Sequence, residues 1–542
     1  MLQEKTFPST YLAITIGPIY ATIQQARRTR ELWAASYIFS LLMRELLEVL
    51  EKEKIGELLA PVVAATNYNG AGIYPDRCFW LLNEKGEKLP AADWQNLIRQ
   101  AIRNVEQIAQ KNNAQRKFFE PFFRVFAAKL ELKSSEESAV LQLNRLLDAQ
   151  ELQALLPQSD DQLINILSED NNIWELYHDS SASTSAVFIP YDSKGNHRLP
   201  SLVELATSEL KKVDEATYEG ILTHPANTAI IKRREGKVDP KEEALAQEEA
   251  LLKLKQTFKD DFKFRHKYVC FVKADGDSVG ATLGAIGNHH QEIQDFSKLL
   301  AKFAQEAVDK IIAFNGIPVY AGGDDLLFIA PIQNQNGQHI FNLLSDLDQI
   351  FPSTDLQALG KSVKADFSAQ PALSYGLSIA YYKHPMFEAL DKLNELLFEE
   401  AKGFPGKNAV AFRVLKHSGQ AFGATLSKGG GAYTQFAALL KACQTQELSF
   451  LTSVMHKLAS LEAFLEDALQ HGQTKAFFKH HFNESAHQQS ETNAYIQAVH
   501  HLVQTLWKEA GEQKQENPIA VVRQQLFAAL RFIQFLNQPD HD

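Results

Sequence analysis

Two apolar segments that each end in a pair of acids place the strongest limit on how this chain can fold. The first, KYVCFVKADGD, carries Asp275 and Asp277 at its end. The second, GIPVYAGGDDLLFIAP, carries Asp324 and Asp325 in the turn of a predicted β-hairpin. A helical pattern over 291–314 separates them and gives the order strand, helix, hairpin. In that order the first strand lies beside the hairpin, so we expect both pairs of acids to meet at one end of a sheet.

The same stretch continues as a complete α/β unit. After a polar loop come a strand, ALSYGLSIAYY, a helix, MFEALDKLNELLFEEAKGF, and a last strand, NAVAFRVL. The order β-α-β-β-α-β is that of a ferredoxin-like palm, the fold of many polymerases and nucleotide cyclases. We therefore predict a palm domain within an α+β multidomain chain.

The rest of the chain divides around this unit. A chain of 542 residues is too long for one hydrophobic core and predicts three or four domains. The pattern near the start predicts a strand at 11–16, a helix from Tyr20 to Lys54 with a break near Trp33, and two short strands within 61–82. Mostly helical structure is expected over 91–180 and a strand and turn over 186–200. The predicted units are an α/β domain with a helical insertion (1–205), a helical connector (206–264), the palm (265–415) and a helical bundle (416–542).

Bulk composition excludes several classes of protein. The formal charge is −11, so a nucleic-acid partner would be held by local basic patches or by companion subunits. The three cysteines are far apart and form neither a disulfide framework nor a zinc motif. No run reaches the roughly eighteen consecutive apolar residues expected of a membrane span, and the start lacks the pattern of a signal peptide. We expect a cytoplasmic protein with no membrane partner.

The four aspartates suit nucleotidyl transfer with two metal ions. Two divalent cations can activate an attacking hydroxyl and neutralise the leaving pyrophosphate, and Mg²⁺ or Mn²⁺ prefers oxygen ligands. Ordinary acidic turns are the alternative, since Asp and Gly are common turn formers. We predict Asp275, Asp324 and Asp325 as catalytic metal ligands, Asp325 alternatively orienting the attacking hydroxyl. We further predict that the Gly276 carbonyl is a metal ligand and that Asp277 is a weaker one. The phosphates of the nucleotide are expected to approach the backbone at Gly276, Ser278, Gly322 and Gly323.

Several motifs carry a resemblance to one family. The hairpin VYAGGDDLLFI resembles the GGDD hairpin of the CRISPR-associated Cas-ten family, the large subunit of type III interference complexes. The stretch from LSYGLSIAYY to GKNAVAF is similar to the strand, helix, AK and GKN order of the related diguanylate cyclases. The segments GPIYATIQQARRTRELWAASYIFS, GAGIYPDR, RLPSLVELAT and RVLKHSGQ resemble the Cmr (type III-B) branch. The resemblance implies that Lys402 and Lys407 face a nucleotide triphosphate, although either is otherwise an ordinary surface lysine.

The resemblance also implies a function. A nucleotidyltransferase would use ATP and two Mg²⁺ or Mn²⁺ ions to make a cyclic oligoadenylate when a guide-crRNA complex pairs with target RNA. Other Cmr-type subunits would be its partners. Two alternatives stay open: adenylation of another acceptor such as S-adenosylmethionine, and a structural subunit that binds nucleotide without turning it over. The early position of the first strand predicts that no HD nuclease domain is present.

The N-terminal region repeats the outline of the palm without its acids. Gly17 and Pro18 fall where the second unit has its first acid pair, and the turn near Asn69–Gly72 falls where it has its GGDD hairpin. The nearest acid to that turn is Asp76. We expect a degenerate first palm that helps to hold a second nucleotide between the palms. The adjacent Arg27, Arg28 and Arg30 would serve that role, bind RNA or form a solvated helix face.

Overall fold

The computed structural model describes most of the chain and contains two sheets of related topology. The described residues are 8–63, 70–109, 119–133, 138–152, 176, 187–190, 192–193, 196–234, 240–443, 447–482 and 490–540.

The first sheet has the strand order of a ferredoxin-like fold. Its strands are β1 (Ser9–Gly17), β2 (Gly56–Ala60), β3 (Arg77–Leu82) and β4 (Arg124–Leu132). They are ordered β2-β3-β1-β4 and all neighbours are antiparallel. The helices of this region are α1 (Ile19–Gln24), α2 (Thr29–Glu53), α3 (Glu84–Lys88), α4 (Ala91–Ala109), α5 (Phe119–Phe122) and α6 (Ala139–Glu151).

A helical segment joins the two sheets. It contains the two-stranded pair β5 (Ile189–Pro190) and β6 (His197–Arg198), followed by α7 (Leu202–Ala206), α8 (Glu215–Tyr218), α9 (His224–Arg234) and α10 (Pro240–Phe258). A 3₁₀ turn follows α7 and a π-helical turn precedes α9. Arg198 and Glu204 form a buried ion pair inside this segment.

The second sheet repeats the first and extends it. Its strands are β7 (Tyr268–Asp277), β8 (Ile317–Gly322), β9 (Asp325–Pro331), β10 (Ala372–Tyr381), β11 (Ala409–Leu415) and β12 (Ala421–Ser427). The order β12-β11-β10-β7-β9-β8 places β7 between β9 and β10, just as β1 lies between β3 and β4. Its helices are α11 (Val279–Ile286), α12 (His290–Ala313), α13 (Ile340–Ile350), α14 (Ser353–Val363) and α15 (Met386–Asn394), the last continuing as a π-helical turn to Ala401. The prediction of two ferredoxin-like palms is confirmed.

Helices complete the chain and share the core of the second palm. They are α16 (Ala432–Ala442), α17 (Leu448–Ser460), α18 (Glu462–Gln470), α19 (Thr474–His481), α20 (Ser490–Glu512) and α21 (Pro518–Asn537). Among the described residues, α21 alone has the length and apolarity to cross a membrane, and half of its apolar stretch is buried. Its Gln525 donates to the Thr425 carbonyl of β12 at 2.7 Å, so it packs here as a core helix.

The two palms face each other across a second shared core. Apolar residues of α2, including Leu42 and Met43, belong to one buried cluster with Phe271 of β7 and Val319 of β8. Backbone pairing joins the palms as well, since the Ala321 N–H donates to the Gly72 carbonyl at 2.9 Å. The second palm therefore packs directly against the first.

Several local predictions were wrong. The polar loop expected after the hairpin contains α13 and α14, and the helix expected across 124–132 is strand β4. Strand β12 pairs with β11, so the palm sheet extends past residue 415, where the sequence predicts only helices to follow. The first helix breaks at residues 25–28 rather than at Trp33, which is buried inside α2. The strand expected to begin at 61 is β2, which begins at Gly56.

Candidate active site

A glycine turn brings the second pair of acids beside the first. Strand β7 pairs with β9, and β9 turns back to β8 where Gly322 lies opposite Asp325. Gly323 and Asp324 form the two-residue turn between them. The φ angle of Gly323 is +73°, a backbone conformation that glycine adopts without steric cost. The turn therefore places Asp324 and Asp325 at the end of β7, where Asp275 lies.

Three carboxyl groups crowd together at this point. The Asp325 side chain is hydrogen-bonded to that of Asp275. Asp324 lies over Gly276, where an added Cβ would be 2.3 Å from Asp324 Oδ2. Burial and then the Asp275 charge raise the pKa of Asp324 to about 6, and burial together with both neighbouring carboxylates raises the pKa of Asp325 well above its ordinary value. Without a cation, Asp324 and Asp325 are therefore harder to ionise than ordinary aspartates.

Two lysines balance part of this charge. The Lys402 ammonium group donates to Asp275 and, at 3.1 Å, to the Gly276 carbonyl. Lys273 of β7 donates to Asn394 Oδ1 at 3.0 Å and lies over the Phe398 ring. Burial lowers the pKa of Lys273, while the charges of Asp325 and Asp275 oppose that shift. Lys273 was not predicted from the sequence. Its position in a buried strand, two residues before Asp275, could have indicated that it belongs to the site.

Asp277 makes contacts that organise the protein. Its Oδ2 accepts hydrogen bonds from Ser374 Oγ at 2.6 Å and from the Asn408 N–H at 2.8 Å. The side chain is almost fully buried, and its other oxygen, Oδ1, has no hydrogen-bond partner. Asp277 therefore anchors the loop that follows Lys407, and only Oδ1 is available to a ligand.

Other predicted residues lie around the cluster rather than in it. Ser278 and Lys407 line a cavity of about 930 Å³ between the second palm and the C-terminal helices, together with Asp277. Lys407 has a φ of +54° and an exposed side chain. In the part of the chain that the structure describes, no hydrogen bond or ion pair joins Lys407 to the three carboxyls, whereas Lys402 contacts Asp275 directly. Of the two lysines, Lys402 is the one placed for chemistry at the cluster.

A second cavity of about 230 Å³ opens between the palms beside Asp325. The first palm contributes Tyr20, Tyr74 and Asp76, and the second contributes Tyr320 and Asn394. Burial, followed by the charges of Asp76, Asp325 and Asp324, raises the pKa of Tyr320 far above its ordinary value. The hydroxyl of Tyr320 therefore lies in reach of acids from both palms.

The residues at the cluster supply oxygen donors of the type that hard divalent cations prefer. Three carboxylates and the Gly276 carbonyl form an all-oxygen donor set of the kind that Mg²⁺ and Mn²⁺ prefer. The Lys402 ammonium already brings a positive charge against Asp275 and that carbonyl. Within the described residues no three Asp, Glu, His or Cys side chains surround one ion position. An ion here would have to displace Lys402 from Asp275.

Two segments of the chain are similar to known protein families. A family model described as Cas10/Cmr2, second palm domain, matches residues 268–411, and one described as CRISPR-associated protein Cmr2, N-terminal, matches residues 11–123. The CRISPR system Cmr subunit Cmr2 of Pyrococcus furiosus is 30% identical over 177 residues, which cover 28% of this chain and 19% of that protein. The match therefore spans about a fifth of the curated relative.

Solved structures share the fold of the whole chain. A crystal structure of an apo Csm1–Csm4 cassette has a TM-score of 0.50 at 13% identity, covering 99% of this chain and 71% of that chain. The same cassette in complex with AMPPNP gives 0.50 at 12% identity, covering 98% and 70%. With the two palms, the GGDD hairpin and both family models in agreement, residues 11–123 form the Cmr2 N-terminal region and residues 268–411 form the second palm domain of the Cas10/Cmr2 family.

Proposed function

We infer that this chain is the nucleotidyltransferase subunit of a type III CRISPR RNA-guided antiviral complex. It uses ATP to make a cyclic oligoadenylate when target RNA binds. One observation carries this proposal: Asp275, Asp324 and Asp325 converge at the end of β7, and Lys402 bridges Asp275 to the Gly276 carbonyl. Such crowding of like charges costs folding free energy, and a site that binds cations explains why the fold maintains it.

Metal ions have a defined place in this proposal. Asp275, Asp324, Asp325 and the Gly276 carbonyl would hold two Mg²⁺ or Mn²⁺ ions. When bound, such ions lower the pKa of an attacking hydroxyl and neutralise charge on the leaving pyrophosphate.

The side chains of the chain itself position the reactants. A ribose 3′-hydroxyl gives up its proton to water as its oxygen forms a bond to the α-phosphorus of ATP, the bond from that phosphorus to the bridging oxygen breaks, and pyrophosphate leaves. Asp325 faces the cavity between the palms and is placed to orient the hydroxyl. Lys402, once released from Asp275, offsets the negative charge that grows on the transferred phosphoryl group. The turn at Gly322 and Gly323 exposes backbone to which phosphates can approach closely.

The first palm supplies the opposite wall of the site. Tyr20, Tyr74 and Asp76 face Asp325 across the cavity between the palms. This arrangement supports a second nucleotide held between the palms, whose hydroxyl attacks the nucleotide on the second palm. The described part of the first palm has no equivalent of the paired acids at its own turn, so one catalytic centre serves both nucleotides.

Partners are inferred from family membership and charge. The other subunits of a Cmr-type complex, the guide crRNA and the target RNA would surround this chain. With a net charge of −11, it would join the ribonucleoprotein largely through companion proteins.

The test is product analysis on the reconstituted complex. The complex is incubated with target RNA and labelled ATP, with and without S-adenosylmethionine, and the products are identified by mass spectrometry. We expect cyclic oligoadenylate that depends on target RNA and on Mg²⁺ or Mn²⁺. The Asp324→Ala/Asp325→Ala double variant should abolish it, while the exposed Asp366→Ala should not. A product that forms only with the methionine compound, or undiminished product from the double variant, would overturn the proposal.

A further inference from the structure

Tyr320 lies at a bulge in β8, two residues before the glycine turn. In the pairing of β8 with β9, Pro318 lies opposite Phe328 and Tyr320 lies opposite Leu327, so the register passes over Val319. Such β-bulges redirect a side chain and are common beside active sites. The bulge therefore sets the direction of the Tyr320 ring.

Contacts from both palms hold Tyr320 in place. Gly72 of the first palm forms a parallel β-bridge with Tyr320, and the Ala321 N–H donates to the Gly72 carbonyl at 2.9 Å. The ring lies over Gly322, where an added Cβ would be 2.0 Å from the Tyr320 hydroxyl oxygen. The hydroxyl is therefore held beside the hairpin turn that carries the second pair of acids.

The Tyr320 hydroxyl is available to a ligand. None of the residues that the structure describes forms a hydrogen bond with it, and it lines the cavity between the palms together with Asp76 and Asp325. Burial and then the charge of Asp76 raise the pKa of this phenol far above its ordinary value, so the hydroxyl keeps its proton. The cavity therefore contains a hydrogen-bond donor close to a carboxyl group of the opposite palm.

Two side chains of the first palm add polar groups to the same cavity. Within the described chain, the Asp76 carboxyl makes no hydrogen bond to another residue. Burial raises its pKa, and a carboxyl oxygen can accept a hydrogen bond in either protonation state. Ser36 of α2 is 2% exposed, and its Oγ has no partner among those residues either. Buried polar groups without partners cost free energy, so a polar ligand here would be stabilised.

The rest of this cavity is largely apolar. Side chains of both palms form its wall: Ile16, Ile19, Ile23, Phe39, Leu390 and Leu393. A mostly apolar cavity with a few convergent polar groups suits a ligand that has a flat apolar part and a hydroxyl-bearing part. A nucleoside has both, in its base and its ribose.

The chemistry of the reaction decides which ribose hydroxyl Tyr320 can contact. The 3′-oxygen is the attacking atom in the proposed reaction, and a hydrogen bond donated to it would withdraw electron density from the nucleophile. The neighbouring 2′-hydroxyl takes no part in bond formation, and outside water it needs one donor and one acceptor. Tyr320 offers the donor and Asp76 the acceptor.

We propose that Tyr320 and Asp76 recognise the 2′-hydroxyl of the attacking nucleotide, whose base lies against the apolar wall of the cavity. Tyr320 donates to the 2′-oxygen, and Asp76 accepts a hydrogen bond from the 2′-hydroxyl. The inference rests on the proposed function, because it concerns the acceptor of that reaction. Since the two residues come from different palms, selection of ribonucleotides over deoxyribonucleotides depends on contact between the palms.

The test compares the binding of nucleosides to the full-length chain in EDTA by titration calorimetry. The probes are adenosine, 2′-deoxyadenosine and 3′-deoxyadenosine, which differ only in their ribose hydroxyls. We expect wild type to bind adenosine about tenfold or more tightly than 2′-deoxyadenosine, because the deoxy sugar leaves both polar groups unpaired. Equal affinity for these two nucleosides, or no measurable binding of adenosine, would overturn the proposal.

Variants assign the preference to these side chains. Tyr320→Phe keeps the ring over Gly322 and removes only the hydroxyl, so it should unfold at the wild-type temperature and lose most of the preference for adenosine over 2′-deoxyadenosine. Asp76→Ala should lose that preference as well. Tyr495→Phe removes a buried hydroxyl in α20, outside this cavity, and should keep it. A wild-type preference in Tyr320→Phe or Asp76→Ala contradicts the proposal, and so does a Tyr320→Phe variant that loses only the preference over 3′-deoxyadenosine.

Turnover by the reconstituted complex separates this inference from the proposed function. With target RNA and Mg²⁺, Tyr320→Phe should lower the rate with ATP about tenfold and change the rate with 2′-deoxy-ATP little. If wild type turns over neither nucleotide, the proposed function fails. If wild type turns over ATP but Tyr320→Phe slows both nucleotides equally, Tyr320 does not recognise the 2′-hydroxyl, and only this inference fails.

Discussion

Gly276 lies where β7 passes under the hairpin turn, and its missing side chain leaves room for a carboxylate. A Cβ there would be 2.3 Å from Asp324 Oδ2 and 2.5 Å from a methyl group of Val279. The Gly276→Ala substitution must therefore displace Asp324 from its present position. We expect the rate of ATP turnover by the complex to fall by about 100-fold or more, because metal ligands tolerate little displacement.

Gly280 provides the matched control for that variant. It lies four residues further on, in α11, and an added Cβ would meet no atom within 4 Å. Gly280→Ala should leave turnover unchanged and raise helix stability by up to about 1 kcal/mol. If Gly276→Ala retains wild-type turnover, Asp324 does not act from the position seen here.

The raised pKa values of Asp324 and Asp325 give the metal-free chain a defined pH dependence. An aspartate has a pKa near 4 when unfolded, whereas Asp324 in the fold has a pKa of about 6. Between these values the folded chain binds more protons than the unfolded chain, so its free energy of unfolding falls as pH rises. The melting temperature in EDTA should therefore drop from pH 4 towards pH 6. This drop should be larger than the one seen in a variant that lacks the Asp324 carboxyl.

The control for this pH effect is the Asp324→Asn variant, which cannot titrate at that position. It should be more stable than wild type at pH 7 in EDTA, and the difference should shrink towards pH 4. Excess Mg²⁺ should raise the melting temperature of wild type and have less effect on the variant. A pH profile identical in the two proteins would show that Asp324 is ionised throughout.

At the scale of elements, the strands and helices that could be predicted are those that residues close together in the sequence specify. Strands β7, β8 and β9 combine apolar runs with glycine turns and were recognised with their acids. Strand β4 was missed because RVFAAKLEL contains helix-favouring residues, and its conformation is set by pairing along its whole length with β1. Strand β12 was missed for the same reason, since pairing with β11 alone defines it. Helices α13 and α14 were not predicted, because the polar run at 333–339 led the region after the hairpin to be interpreted as a loop.

The same contrast between local pattern and long-range packing applies to the residues of the site. The three aspartates could be predicted because strand ends and a glycine turn place them. Tyr320 and Asn394 could not, because their roles depend on which elements pack against the cluster. Asp277 repeats the i, i+2 spacing of a ligand pair, yet Ser374 of β10 and the Asn408 N–H just before β11 donate hydrogen bonds to one of its oxygens.

Helices α1 and α15 connect the palms through side chains next to the cavity. Asn394 donates to the Tyr20 hydroxyl at 2.8 Å, and the same asparagine accepts from Lys273. Loss of this contact frees α1 and removes one constraint on Lys273. Tyr20→Phe and Asn394→Ala should each lower turnover about tenfold. The double variant should be no worse than either alone, because both break one chain of contacts. Fully additive losses in that double-mutant cycle would show that the two residues act separately.

At the scale of the whole molecule, the domain divisions predicted from sequence are not divisions of the core. One buried cluster runs from Tyr268 of β7 to Leu536 of α21, and another joins α2 to β7 and β8. Glu509 of α20 accepts the Ala432 N–H at 2.8 Å, at the start of the helix that follows the palm sheet. The C-terminal helices therefore extend the core of the second palm, and the face that carries the acids packs against the first palm on one side and against helices on the other.

Phe532 tests whether this shared core unfolds as one unit. It is fully buried on α21, with its ring centroid 5.2 Å from Phe341 and 5.5 Å from Phe412, both in the second palm. Phe532→Ala should lower the free energy of unfolding by about 3–5 kcal/mol. Because the cluster is continuous, protection of β7 and β10 amides from hydrogen exchange should fall together with that of α21. Phe464→Ala, at a phenylalanine that is 64% exposed, should change neither quantity. If only α21 lost protection in Phe532→Ala, the C-terminal helices would be an independent folding unit and the palm would be stable without them.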